Sequence, residues 1–311
     1  MCDAAKSSTS AGKEVGHQTK GGFCMTLPPF PYYGAKTKHL RFLLPLLPQT
    51  KCYCEPFGGS MAVMLARTPS EVETYNDIDS NVVNFFRVLR EQPDKLLRML
   101  ELTPFSREEY NLARDMEKES DLERARMFFL RASVSYGARY SRGAFNTTNN
   151  NSVNGVPERI SRYRRYLGRL EAVSERILRI QIENLDALDI IKRYDTPDTL
   201  FYCDPPYDHS ARVQDRCYKV EPDSTYHRLI ASALRSIEGY AAISGYKSRL
   251  YEELYSGWYC TEDKPNRYNE NHSERTEVLW TNYNPETFEK ISIMPQVKQL
   301  NLDGIEGGAC Q

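Results

Sequence analysis

The sequence has no C-x-x-C pair and no cluster of histidines at zinc-ligand spacing, although it holds eight cysteines, at 2, 24, 52, 54, 203, 217, 260 and 310. That pattern excludes zinc-ribbon and zinc-finger chemistry and reads as scattered free thiols of a reducing compartment, with no metal site. No run approaches the ~20 apolar residues of a membrane span. The first residues lack the apolar core of a secretory signal, so a soluble cytoplasmic protein without a membrane partner is expected. No Gly-Lys-Ser/Thr follows the chain's glycine turn, which excludes a P-loop. The turn does not match G-x-G-x-x-G either, which disfavours a nicotinamide site.

What is present suffices for one large core, or a core plus a lobe: 311 residues, 40% hydrophobic and 11% aromatic. The net charge of −1 conceals an uneven distribution. From Glu91 to Glu123 there are ten acidic and five basic residues, and from Arg124 to Arg179 twelve arginines against three glutamates.

Residues 1–22 are rich in Ser, Lys, Gly and Thr without hydrophobic period and read as a tail. Residues 294–311 also lack a pattern. Between these ends, Pro29-Phe-Pro-Tyr32-Tyr33-Gly34-Ala-Lys36 leads into an apolar helical stretch, Leu40 to Leu47. This is a loop entering a helix, or a ligand loop whose Lys36 meets a carboxylate. A short strand, Lys51 to Cys54, then runs into Glu55-Pro56-Phe57-Gly58-Gly59-Ser60 and a helix to about Arg67. Strand, glycine turn and helix N-terminus let backbone approach a cofactor closely. A second strand, Glu71 to Tyr75, ends in Asn76-Asp77-Ile78-Asp79, where nucleotide-binding units place the acidic residue that takes ribose hydroxyls, ~20 residues past the glycines. A helix from Asp79 to about Arg90 follows.

From Gln92 to Arg179 strand-helix alternation stops. Helical runs at about 106–118, 121–134 and 158–178 bracket a polar loop, Tyr136 to Val156, that carries Tyr136, Arg139, Tyr140, Arg142, Phe145 and Asn146. With Arg162 and Arg165 in the following helix, arginine interleaved with aromatics and Asn suits phosphate contact, base-edge contact and stacking. A solvated helix face beside an idle loop is the plainer alternative. Alternation resumes with a strand at Ile177 to Ile182, a helix from Asp186 and the strand Thr199 to Cys203. That strand delivers Asp204-Pro205-Pro206-Tyr207 to the sheet edge where open α/β folds bind ligands. The prolines remove two backbone donors, so carboxylate, carbonyls and an aromatic face together suit a planar amine. An ordinary strand-to-loop turn is built from the same residue types. Strands at Tyr240 to Ser244, Trp258 to Thr261 and Glu277 to Asn282, with helices from Ser224 and Lys247, complete the pattern.

Tyr32-Tyr-Gly-Ala-Lys36, Glu55-Pro-Phe-Gly-Gly-Ser60, Asn76-Asp-Ile-Asp79, the Gly/Arg/Phe-Asn loop and Asp204-Pro-Pro-Tyr207 stand in the order that resembles the Dam-like (D12 class) DNA adenine-N6 methyltransferases. The resemblance covers roughly residues 29–283, including Ser244-Gly-Tyr246 and Arg275-Thr-Glu277. It implies an α/β, Rossmann-like fold using S-adenosylmethionine, with an inserted, mostly helical target-recognition domain. The catalytic domain would be 23–91 with 177–293, and the DNA-binding domain 92–176. By resemblance, Tyr32 and Lys36 belong to the cofactor motif, the lysine meeting the methionyl carboxylate. Glu55 and the glycine turn lie below the cofactor, Asp77 holds the ribose, and Asp186 sits near its adenine. Asp204 to Tyr207 form the catalytic motif. Met61 stands where the family often has a further glycine, and the recognition loop is slightly shorter than the better-known pattern.

The chemistry agrees. The N6 lone pair of adenine is conjugated into the ring, so a site must favour a tetrahedral nitrogen; the Asp204 carboxylate and Pro205 carbonyl can each accept one N6–H bond. Tyr207 would stack on a base flipped out of double-stranded DNA. Cys203 is read as packing rather than as a nucleophile. Cytosine N4 poses the same chemical problem, and the residues alone leave open a non-catalytic DNA-binding protein of the same fold, or an RNA substrate. A companion restriction endonuclease belongs among the expected partners, whereas oligomeric state and recognition site are not legible.

Overall fold

The structure is a computed structural model and describes residues 25–136, 140, 143–148, 151–206, 224–263 and 276–287. The apolar stretch after Lys36 forms one turn of α-helix, α1 (Leu40–Leu43), and passes into a 3-10 turn at Pro45, which has no amide to continue the helix. Then come β1 (Cys52–Glu55), α2 (Ala62–Ala66), β2 (Val72–Asn76) and α3 (Ser80–Glu91). Asp79 caps α3 by accepting from the Asn81 amide at 3.0 Å.

The segment after Gln92 is helical throughout its first half: α4 (Pro93–Leu102), α5 (Arg107–Leu112) and α6 (Asp121–Val134). Helices are expected from the sequence only from 106 onward, so α4 is an addition; Pro93 opens it at the position where a missing amide costs nothing. The polar loop also contains a hairpin, β3 (Ser152–Val153) with β4 (Val156–Pro157). Its turn is Asn154-Gly155, both at positive φ (51° and 75°), the geometry of a two-residue hairpin turn. The run expected at 158–178 is two helices, α7 (Glu158–Leu167) and α8 (Leu170–Ile177), parted at Gly168.

The chain then returns to the sheet through β5 (Ile180–Glu183), α9 (Ala187–Tyr194), β6 (Thr199–Cys203), α10 (Ser224–Arg235), β7 (Tyr240–Tyr246), α11 (Arg249–Leu254), β8 (Tyr259–Glu262) and β9 (Glu277–Thr281). The seven-stranded order is β5-β2-β1-β6-β7-β9-β8. The first five strands in that order are parallel, and β9 runs antiparallel to both β7 and β8. Every residue of β6 is buried, as expected for a central strand covered on both faces. Strand order reverses between β1 and β6, which makes the crevice above their C-terminal ends the ligand position of this topology.

One apolar cluster runs from Tyr53 and Tyr75 of the sheet through α3 into α4, α6, α7 and α8. Phe85 stacks on Phe129 at 5.7 Å, and Phe30 meets Phe85 and Phe128 edge to face at 5.1 Å each. The helical segment therefore shares its core with the sheet domain. Arg176 of α8 adds a buried two-point ion pair to Glu73 of β2 at 2.6 and 2.7 Å.

Candidate active site

At the switch point lies a cavity of about 440 Å³, within the size range of small-molecule and cofactor sites. Its floor is the glycine turn after β1. A Cβ on Gly58 would come within 2.1 Å of the Tyr75 ring. Gly59 has φ +47°, and a Cβ there would stand 3.0 Å from the Tyr32 ring, so both places require glycine. The Gly59 amide donates to Asp77 Oδ2 at 2.9 Å, the Asp79 amide to Asp77 Oδ1 at 2.8 Å, and the Tyr75 hydroxyl to the Gly59 carbonyl at 2.8 Å. These bonds lock the turn to the end of β2. Asn76 ties the same region to β5's exit loop, donating to the Pro56 and Leu185 carbonyls and accepting from the Leu185 amide.

The cavity brings together Tyr32, Tyr33, Gly34, Lys36, Glu55, Pro56, Phe57, Gly58, Gly59, Ser60, Asp77, Ile78, Asp186, Asp204 and Pro206. Pro205 is buried and stands outside this lining. Tyr207, Arg139 and Arg142 lie outside the described residues. Sequence reasoning missed Tyr202 and Tyr226 of the lining. Tyr226 donates to Asp186 Oδ2 at 2.9 Å, and Asp186 also caps α9 through the Leu188 amide at 2.8 Å. A tyrosine on an amphipathic helix gives no sequence signal for such a contact.

Burial pushes Asp77 up to about 7; the Asp79 and Gly59 amides hold it down and the Asp79 charge adds to the rise. Burial likewise pushes Glu55 up to about 8, against the Tyr53 hydroxyl, which donates to it at 2.8 Å, and the nearby Arg67 charge. Ser60 Oγ is buried and has no hydrogen-bond partner among the described residues. A groove with a polar atom awaiting a partner, two carboxyls near neutrality and a glycine floor is built for a polar small molecule.

Lys36 lines the cavity and meets two carboxylates of the protein. Its ammonium is buried, 2.9 Å from Asp204 Oδ1 and 3.1 Å from Glu277 Oε1. Burial lowers its proton affinity, but Asp204 and Glu277 outweigh this and raise it above the ordinary lysine value. Ser244 Oγ, fully buried on β7, donates to the same Asp204 oxygen at 2.9 Å and lies 3.1 Å from the Tyr202 hydroxyl. Cys203 is buried and its thiol is pushed up by burial, consistent with packing.

The described residues expected at DNA, Tyr136, Phe145, Asn146, Arg162 and Arg165, sit outside the cavity lining, on the helical segment. Tyr136 is exposed after α6, where the Tyr136 amide donates to the Ala144 carbonyl at 3.0 Å and the Asn146 amide to the Val134 carbonyl at 3.3 Å, closing the base of the loop. Phe145 packs into the protein, 5.4 Å from Phe105 and 5.5 Å from Tyr110, with Arg107 over its ring. Arg162 pairs with Glu158 at 2.7 Å, and Arg165 lies on the exposed face of α7. Among the described residues of this loop, Tyr140 packs behind the cavity wall, donating to Asp79 and stacking on Tyr32 at 6.5 Å.

Among the described residues no group of side chains could hold a metal ion, and no helix is long and apolar enough to cross a membrane. A search of curated proteins returned no match. The family profile of the D12 class N6 adenine-specific DNA methyltransferases matches residues 32–272, from the tyrosine loop through β6 and beyond β8. The chain belongs to the D12 class N6 adenine-specific DNA methyltransferases, a family of enzymes that methylate adenine in DNA.

Proposed function

We propose that the enzyme transfers a methyl group from S-adenosylmethionine to N6 of an adenine flipped out of duplex DNA, with Asp204 as the catalytic carboxylate. The observation that carries this reading is the placement of Asp204 at the end of β6, in the wall of the cavity floored by the glycine turn and Asp77. The cavity residues fit the cofactor. Asp77 offers a carboxylate to ribose hydroxyls, Ser60 Oγ a free polar atom, and Phe57, Ile78 and Ala187 an apolar slot for a planar base. S-adenosylmethionine supplies an electrophilic methyl group on its sulfonium.

The chain's own residues do the rest. Asp204 and the Pro205 carbonyl accept the two N6–H bonds, which favours the tetrahedral nitrogen and turns its lone pair toward the methyl group. As the new N–C bond formed, the methyl–sulfonium bond would break and its electron pair would stay on sulfur, leaving a neutral thioether; the positive charge would pass to the nitrogen, where the Asp204 carboxylate would offset it until one N6 proton is lost to solvent. Tyr207 stacks on the extruded base. Residues 92–176 serve as the target-recognition segment, with Arg139 and Arg142 in the loop and Arg162 and Arg165 of α7 directed to phosphates or base edges.

Asp204→Ala tests the assignment. Methyl incorporation into a defined adenine-containing duplex should fall by at least about 10²–10³-fold, with DNA affinity in a gel-shift assay unchanged. Near wild-type turnover in that variant would remove Asp204 from the mechanism, and nucleoside analysis of the product would reveal N4-methylcytosine if the target base were cytosine.

A further inference from the structure

Among the described residues, both donors to the Asp204 carboxylate fall on the same oxygen. Lys36 Nζ reaches Oδ1 at 2.9 Å and Ser244 Oγ reaches Oδ1 at 2.9 Å. Lys36 is in turn held from its other side by Glu277 at 3.1 Å, and Glu277 and Ser244 are buried on the adjacent strands β9 and β7. β7 pairs directly with β6, which carries Asp204 at its end. A carboxylate in solution rotates and presents either oxygen, and an amine acceptor that rotates is a poor positioning device. Here two donors from two different elements converge on Oδ1. Oδ2 is thus the oxygen with which Asp204 can accept from an incoming amine.

We propose that Ser244 and Glu277 are positioning residues for the methyl transfer: together with Lys36 they clamp Asp204 Oδ1 and dedicate Oδ2 to the target amine. The proposal rests on the assignment of Asp204 as the catalytic carboxylate. Glu277 has a distinct role within the clamp. One ammonium facing Asp204 alone would neutralise the carboxylate and weaken it as an acceptor; sharing Lys36 with Glu277 leaves a net negative charge of one on the three groups. Ser244 supplies the second donor without adding charge, and its Oγ lies closer to Asp204, at 2.9 Å, than to the Tyr202 hydroxyl at 3.1 Å or the Cys203 carbonyl at 3.4 Å.

The clamp makes two variants shift the pH dependence in opposite senses. Among the described residues, the charged and titratable groups around Asp204 are Lys36, Glu277, Glu55, Tyr202 and Cys203, and none of the last three changes in either variant. Ser244→Ala removes a donor to the ionised carboxylate and raises the pH of half-activity on the acid limb of kcat. Glu277→Gln gives Lys36 wholly to Asp204 and lowers that pH.

The test is steady-state methylation of a defined duplex by the full chain over a pH series, for wild type, Ser244→Ala, Glu277→Gln and Asp204→Asn. S-adenosylmethionine and DNA affinities are measured in parallel by calorimetry. The expected result is a kcat loss of about 10–100-fold in both positioning variants, with both affinities within about twofold of wild type and acid limbs displaced in opposite directions. Unchanged kcat, or acid limbs moving together, would overturn the clamp. A Ser244→Ala chain that binds neither ligand leaves the isosteric Glu277→Gln to decide by the direction of its limb. Wild-type turnover in Asp204→Asn sinks the underlying catalytic assignment instead, a result separate from either outcome for the clamp.

Discussion

Asp77 and Glu55 carry the clearest pH signature at the scale of single residues. Each binds its proton more tightly in the folded chain than in the unfolded one, Asp77 at about 7 against an ordinary 3.8 and Glu55 at about 8 against 4.5. A raised carboxyl favours folding at low pH, and that contribution is withdrawn as pH climbs through the folded value. The ligand-free enzyme should therefore lose stability between about pH 5 and 8, followed by thermal unfolding. Cofactor affinity should move the other way, because ribose hydroxyls need an ionised acceptor. S-adenosylmethionine binding is expected to strengthen across pH 6 to 8, and Asp77→Asn to flatten that slope in calorimetry. Met61 is a second instructive residue. It is fully buried at φ +62°, the left-handed conformation that a glycine would adopt freely. Left-handed strain costs about 1–2 kcal/mol, whereas emptying a buried methionine site costs about 2–5 kcal/mol. Packing wins, so Met61→Gly should destabilise by about 1–3 kcal/mol in urea unfolding, despite introducing the permissive residue.

At the scale of elements, the strongly patterned pieces were legible. The expected strand Thr199–Cys203 and helix 121–134 coincide with β6 and α6, because a β-branched and aromatic strand ending at Asp-Pro-Pro and a helix opening with Ser120 as its cap are locally specified. The glycine turn and Asp77 came together as their spacing implied. What was not legible depends on contacts between distant parts of the chain. Nothing near Lys36 announces Glu277, and nothing in the polar loop announces that Tyr140 would reach Asp79. The arginine excess also divides only in three dimensions: Arg131 and Arg176 are buried in structural bonds, while Arg164 and Arg165 of α7 are exposed. A double charge reversal at Arg164 and Arg165 should weaken DNA binding and reduce the slope of log affinity against log salt by about 2. Fluorescence titration over a salt series reads this directly, and an unaltered slope would take α7 out of the interface.

For the whole molecule, the shared apolar cluster and the Arg176–Glu73 pair weld the helical segment to the sheet. Far-UV circular dichroism, dominated by the helices, and the fluorescence of Trp258 and Trp280 at the sheet's far side should report one coincident unfolding transition. Arg176→Ala leaves the buried Glu73 carboxylate with only the Ser70 amide at 3.3 Å and the more distant Arg179 at 3.7 Å, and is expected to lower stability by about 3 kcal/mol while leaving the transition single. Two separated transitions would show that residues 92–176 fold as an independent domain.

The sheet order has a consequence for the timing of biosynthesis. β9, near the end of the folded sheet, inserts between β7 and β8 and carries Glu277 to Lys36, which lies before the first strand. A nascent chain that has exposed every residue lining the cavity still lacks the strand that covers β7 and the carboxylate that shares Lys36. On the clamp proposed above, a chain truncated before β9 should therefore show no methyl transfer although its cavity-lining residues are complete, so that topology guards against activity in an unfinished copy.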